Sequence, residues 1–316
     1  MWVKREALTM MMMSRTEGIT GKVWPAVAAV LAACVVETGG QVMNPADAQS
    51  GTPAGRANAP AERMRSWEMP EILVVERREP ALREEDRIGS YAQPRWTATR
   101  RFPTTRVYVV PEGKMEIEYW LRATRTKDGI TKYRSLYEVE FGLPHRFQLD
   151  LYFRTDQSSD TDSVSISEQI ELRYALADWG VLPGNPTLYL EWIRHDGGPD
   201  QIEPKILFGG ELCPRWHWGL NLVGEFQTGG ELEREYTVTA GLSHSVRDSV
   251  LAVGLECRAS FTDTRENRGS FEKSVVLGPS LQYRPLPQMT INAAPLFGIT
   301  DDSPETQVWF NCGWEL

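Results

Sequence analysis

The sequence contains no uninterrupted run of the about 18 apolar residues that a membrane-crossing helix needs, so helical spans are excluded. Cysteine and histidine are scarce, at four each among 316 residues, and show no metal-ligand spacing. A disulfide framework is not implied by Cys213, Cys257 and Cys312, an odd set once the N-terminal Cys34 is set aside. No glycine loop of the phosphate-cradling kind occurs. A net charge of −9 and the lack of a continuous basic stripe exclude nucleic acid as a partner. Neither a metal nor a cofactor is expected.

What is present is alternation. From Lys114 onward, apolar and polar residues alternate in segment after segment. In residues 115–124 the side chains of Met115, Ile117, Tyr119, Leu121 and Ala123 fall on one face of a strand, and Glu116, Glu118, Arg122 and Thr124 on the other. Segments of about ten residues with this pattern are the signature of an antiparallel transmembrane β-barrel, because lipid requires an apolar exterior while an enclosed lumen holds charge. The pattern predicts about twelve strands, over 114–125, 133–143, 146–155, 165–177, 187–194, 202–212, 216–227, 232–244, 249–262, 273–284, 288–299 and 305–315. An even number puts both chain ends on one side. The links agree: 126–132, 155–163, 195–201, 228–231, 262–272 and 300–304 are the longer polar ones, and most of the others are tight turns.

Aromatic residues add two expected belts. Trp179, Trp216, Trp218, Trp314 and Tyr283 fall near one rim, and Phe153, Trp192, Phe226, Tyr236, Phe261 and Phe297 near the other. Pro279 and Pro295 fit badly inside the tenth and eleventh strands, where neither can donate a ladder hydrogen bond, and a local bulge is expected there.

Residues 1–48 read as a signal peptide, with a basic flank, the apolar stretch 23–36 and the small-residue exit Ala46-Asp47-Ala48. Export is the consequence. Cys34 follows Leu31-Ala32-Ala33, a lipobox-like context, although the apolar run continues beyond it. Residues 49–113 are rich in Gly, Ala, Pro and mixed charge and read as a partly disordered, extended periplasmic tether or a lumen plug, with a β-prone island at 71–76.

The stretch 136–153 (LYEVEFGLPHRFQLDLYF) joins two alternating strands through Gly-Leu and a two-residue turn. In this it resembles the outer-membrane transporters of the "MetA-pathway of phenol degradation" family, a likeness that extends over about residues 114–316. The resemblance implies passage of small aromatic or apolar molecules. No binding residue is carried over from it.

The polar phase lines the expected lumen with Glu118, Glu138, Glu140, Asp150, Glu171, Glu191 and Glu256, against Arg122, Arg173 and Arg258. Two readings stand side by side: a wet passage lined by acid, or cross-strand ion pairs that stiffen the wall. Arg95, Arg100, Arg101 and Arg106 form a basic, acid-free stretch just before the first strand and are the candidate plug. Catalysis is not expected. Ser243 and His244 are adjacent in a strand and so point to opposite faces, and His145, His195 and His217 lack an evident serine partner.

The expected protein is thus a bacterial outer-membrane channel for passive uptake or efflux of small solutes, with the bilayer lipids and the barrel-assembly machinery as its other partners. The alternative is a closed structural or binding barrel. A lipid-modifying barrel enzyme ranks below both.

Overall fold

The computed structural model describes residues 83–316. The signal sequence, Cys34 and the 71–76 island lie outside them. Among the described residues twelve long strands form one closed antiparallel barrel: β1 Met115–Arg125, β2 Thr131–Gly142, β3 Phe147–Ser158, β4 Val164–Ala175, β5 Thr187–His195, β6 Gln201–Cys213, β7 Trp216–Gln227, β8 Arg234–Arg247, β9 Leu251–Asp263, β10 Glu272–Leu286, β11 Met289–Gly298 and β12 Thr306–Glu315. Each strand pairs with its sequence neighbours, and β12 closes on β1 through partners such as Phe310 and Leu121. Closure leaves no unpaired edge, as a strand in lipid requires.

Burial follows the two-residue period. In β4, Ser167, Gln169, Glu171 and Arg173 are buried toward the lumen, whereas Ile170 and Leu172 are exposed on the outer face. Leu188, Leu190, Trp192, Leu255, Leu277 and Val308 continue that apolar exterior. An outside of leucine and an inside of glutamate is the reverse of a soluble core, and it places the barrel in lipid. Leu255→Arg, a change at a side chain 57% exposed midway along β9, is therefore expected to cost about 2 to 4 kcal/mol in urea titrations from phospholipid vesicles. A near-zero cost would remove Leu255 from the lipid face. The lumen-phase neighbours Gly254 and Asn292 are not tolerant sites for comparison. A Cβ on Gly254 would stand 2.7 Å from Ser280 Oγ, and Asn292 is fully buried.

The rim that carries both ends of the barrel has mostly tight turns, and the opposite rim carries the longer links, including 264–271. Trp216, Trp314 and Tyr283 are exposed near the first rim and Trp192, Tyr236 and Phe297 near the second. Trp179 does not join a belt. It is buried with Tyr91, Trp96 and Tyr108, because the chain preceding β1 supplies an apolar partner for it.

The two prolines are also accommodated differently from the expected bulge. Leu277 faces Phe297 and Leu281 faces Ala293 with one unchanged offset, so Pro279 lies opposite Pro295 and pairing lapses in register between those points. On their other sides Leu255 faces Pro279 and Pro295 faces Val308 without interruption. The missing donors thus fall together in one seam. The register shifts lie instead near the terminal rim, between Ser245 and Arg247, Glu211 and Cys213, and Tyr283 and Leu286.

Candidate functional site

Residues 83–114 run inside this barrel rather than away from it. A two-residue hairpin, Arg87–Ile88 with Gln93–Pro94, and a 3-10 turn, Arg95–Thr97, lie at the terminal rim. There Arg95 reaches Glu315 (3.1 Å), the Glu84 amide donates to Asp248 Oδ1 (2.8 Å) and Trp96 Nε1 donates to Glu211 (3.0 Å). Residues 98–110 then dip into the lumen and return. A chain buried without its own ladder must find partners for its backbone. The wall supplies them: Glu256 accepts from the Thr104 amide (2.7 Å), Asn221 both accepts from the Arg106 amide (2.8 Å) and donates to its carbonyl (2.7 Å), and Gln148 accepts from the Val110 amide (2.6 Å). Gln282 donates to the Arg100 carbonyl (2.6 Å).

The segment fits because part of the wall has no side chains. Gly209 of β6 faces Gly219 of β7, which faces Gly241 of β8, so three glycines stand in one row across adjacent strands. A Cβ on Gly241 would lie 2.5 Å from Phe102, and one on Gly219 would lie 2.8 Å from Val107 and 2.9 Å from Thr105. Phe102 is fully buried in this trough. Tyr108 adopts a positive φ of 66°, a costly conformation for a bulky residue. It is held there by a hydrogen bond to the Ala177 carbonyl (2.7 Å) and an edge contact with Trp179. Burial also pushes the Tyr108 phenol pKa up.

Opposite the trough the wall is acidic. Following direct cross-strand partners, Glu315 of β12 faces Glu116, then Glu140, Asp150, Glu171, Glu191 and Glu203 on β1 to β6 in turn. The same offsets carry the row to Glu225 of β7 and Glu235 of β8. Like charges directly opposite one another repel. The row is held by cations set between its members. Arg173 joins Asp150 (2.9 Å) and Glu171, Lys205 joins Glu203 and Glu191 (3.9 Å), and Arg258 joins Glu235.

Arg106 from the internal segment is the central counter-charge. Its Nη2 reaches Glu138 (2.8 Å), Glu118 (3.1 Å) and Glu140. Burial works against its charge, yet Glu140, Glu138 and Glu118 together hold its pKa well above the usual arginine value. Arg100 donates to Glu118 (2.9 Å) and lies flat over Trp120, 3.2 Å from the ring centre, a cation–π contact. Burial and then the like charge of Arg106 lower the Arg100 pKa. Arg101 holds the other side, donating to Ser243 (2.9 Å), Ser245 (2.6 Å), Gln282 (2.8 Å) and Glu84 (2.8 Å). His217 Nδ1 lies 3.0 Å from the same guanidinium and accepts from it.

All ten lumen positions picked out in the sequence are thereby located. Glu118, Glu138, Glu140, Asp150, Glu171, Arg173 and Glu191 form one ionic wall, while Glu256 instead binds the Thr104 backbone and hydroxyl. Arg258 pairs with Glu235. Arg122 has no ion pair among the described residues and packs over Trp309, with Arg134 as its direct cross-strand neighbour. Of the four arginines preceding β1, Arg100, Arg101 and Arg106 are inside the lumen and Arg95 is at its rim. The glycine row and the amide partners Asn221 and Gln148 carry no charge signal and were not singled out.

His195 does meet a serine: its Nδ1 lies 2.7 Å from Ser167 Oγ, and its Nε2 lies 2.9 Å from Gln201 Oε1. Ser167 and His195 are direct cross-strand partners with side chains on one face, a relation that spacing along the chain does not reveal. Ser167 is 1% exposed. Ser243 and His244 do face opposite ways, toward Arg101 and the Trp216 ring.

No protein-family model matches the sequence, and no curated protein matches it. Solved structures similar in fold include the NanC porin (11% identity, 63% of this chain and 97% of that one, TM-score 0.44). The COG4313 outer membrane channel from Pseudomonas putida F1 is similar at 10% identity, over 66% of this chain and 97% of that one, with a TM-score of 0.47. The KdgM porin is similar at 11% identity, over 63% and 98%, with a TM-score of 0.44.

Proposed function

We propose that this protein is an outer-membrane channel for small solutes whose acidic lumen is closed by the segment 83–114 of its own chain. The ionic character of the closure carries this reading. A barrel that only had to be solid could fill its interior with apolar side chains. Here Arg100 and Arg106 hold a covalently attached segment against a wall of carboxylates, while Arg101 pairs with Glu84 of the segment itself. Such contacts exchange readily with water once the segment moves, and the exposed wall then attracts cations. The resemblance to the phenol-degradation transporters adds small aromatic or apolar molecules as the solutes to try. A closed structural barrel is the second reading, favoured by the tight seat of Phe102 over the glycine row.

Liposome swelling separates the two. Barrels lacking residues 83–102 and carrying Arg106→Gln should admit arginine faster than glutamate, because the acidic wall is then uncovered. Folded barrels of that variant that stay tight to both solutes would establish the structural reading.

Orientation has its own test. Cys213 is exposed at the β6–β7 turn of the terminal rim. On intact cells an impermeant maleimide should leave it unlabelled and should label Asn267→Cys in the longer 264–271 link. The opposite pattern would invert the barrel.

A further inference from the structure

The internal segment closes the lumen at the level of Glu118, Glu138 and Glu140, whose side chains are fully buried. Nearer the rim of the longer links the lumen is open to water: the side chains of Arg134, Asp156, Arg258 and Glu235 keep 20% to 29% of their surface. Four guanidinium groups, of Arg122, Arg134, Arg154 and Arg258, meet there. Asp156 accepts from Arg134 (2.6 Å) and from Arg154 (2.5 Å), and Glu235 pairs with Arg258. Glu225, which also bears on Arg154, shares a hydrogen bond with Glu203. Arg122 is left over. Among the described residues it has neither an ion pair nor a hydrogen bond, and Arg134, Arg258 and Arg154 bear on its charge more strongly than Asp156 does. Its direct partners on the neighbouring strands are Trp309 and Arg134. The guanidinium lies over the Trp309 ring, 5.2 Å from its centre, a cation–π contact that occupies none of its N–H groups. One level further in on the same face stand Trp120 and Leu136, paired with each other and half-buried. Arg100 of the internal segment covers Trp120.

We propose that this outer mouth is a binding site for a small organic carboxylate, whose head group takes the unpaired fork of Arg122 and whose apolar body lies over Leu136 and Trp120. A guanidinium matches a carboxylate through two parallel N–H···O bonds. Arg134 stands beside it and gives Asp156 only its Nε, so it has further donors to offer. A neutral solute would leave the fork unmatched. A lone inorganic anion would leave the apolar floor uncovered. The site is complete in the closed barrel, so it goes beyond the channel reading and does not depend on it. The mouth takes one sign of charge, and the acidic row under the segment favours the other.

The test uses the full chain, refolded in detergent, with para-fluorobenzoate as the probe followed by fluorine NMR. Binding should saturate at one site per barrel, and benzoate should displace the probe at lower concentration than acetate does. Para-fluorobenzamide, which has the same shape and no charge, should bind at least about tenfold more weakly. Arg122→Gln should bring benzoate down to the level of the amide. Arg122→Lys keeps the charge without the fork and should recover only part of the loss. Arg194→Gln, an exposed arginine on the outer face of β5, should leave binding unchanged. Absence of saturable binding to the wild type, equal binding of the acid and the amide, or full binding by Arg122→Gln would overturn the proposal. So would a preference for para-fluorobenzylamine, which would mean that Asp156, Glu225 and Glu235 govern the mouth. The readout is independent of whether the barrel conducts.

Discussion

Arg106→Met is expected to weaken docking of the internal segment by about 3 to 5 kcal/mol, the cost of leaving buried carboxylates without their shared cation. Glu118, Glu138 and Glu140 are each at most 1% exposed and share this guanidinium, and Arg100 reaches only the first two of them. Native-state hydrogen exchange reads the effect directly. The amides of Thr104, Arg106 and Val110 donate only to lumen side chains, so they exchange when the segment leaves, and the strand amides serve as the internal reference. Their exchange should accelerate by a factor of about a hundred or more. Adding Glu138→Gln and Glu140→Gln to the same chain should recover much of the loss, since two of the stranded charges then disappear. A change below about 1 kcal/mol would place these groups in water, as for surface pairs.

Phe102→Ala is expected to cost a similar about 3 to 5 kcal/mol, by a different mechanism. The ring is fully buried against Gly219 and Gly241, and those strands cannot close around a smaller residue because the barrel fixes their separation. The loss therefore includes an unfilled cavity. Gly241→Val in the Phe102→Ala background supplies carbon where the ring was and should restore part of it. In the wild-type background the same valine should be destabilising, because its Cβ would stand 2.5 Å from Phe102. Two additive losses in this cycle would show that Phe102 does not rest on Gly241.

The strands were legible because lipid and lumen impose opposite demands on successive residues. Even β5, whose expected span 187–194 lies within one residue of the observed strand, alternates without a break. Charge compensation was legible too: the acid-free arginine run before β1 and the excess acid in the polar phase are two halves of one balance. The pairings were not, since they depend on which strand neighbours lie at one level. Glu116, Glu140, Asp150 and Glu171 are far apart in sequence and adjacent in the wall only through register. Trp179 was misplaced because a tryptophan near a barrel rim reads alike whether it faces lipid or packs under an internal segment. The three glycines were silent for a related reason. Glycine in a strand signals a bulge or a close approach, and only the structure shows that Phe102, Thr105 and Val107 make that approach.

The ionic closure of the lumen is tested most directly by single-channel recording in planar bilayers. The full chain is compared with folded barrels that lack residues 83–102 and carry Arg106→Gln. Small or rare steps for the full chain, and larger, cation-selective steps for the variant, are the predicted result. Equal conductance and equal selectivity in the two proteins would contradict it.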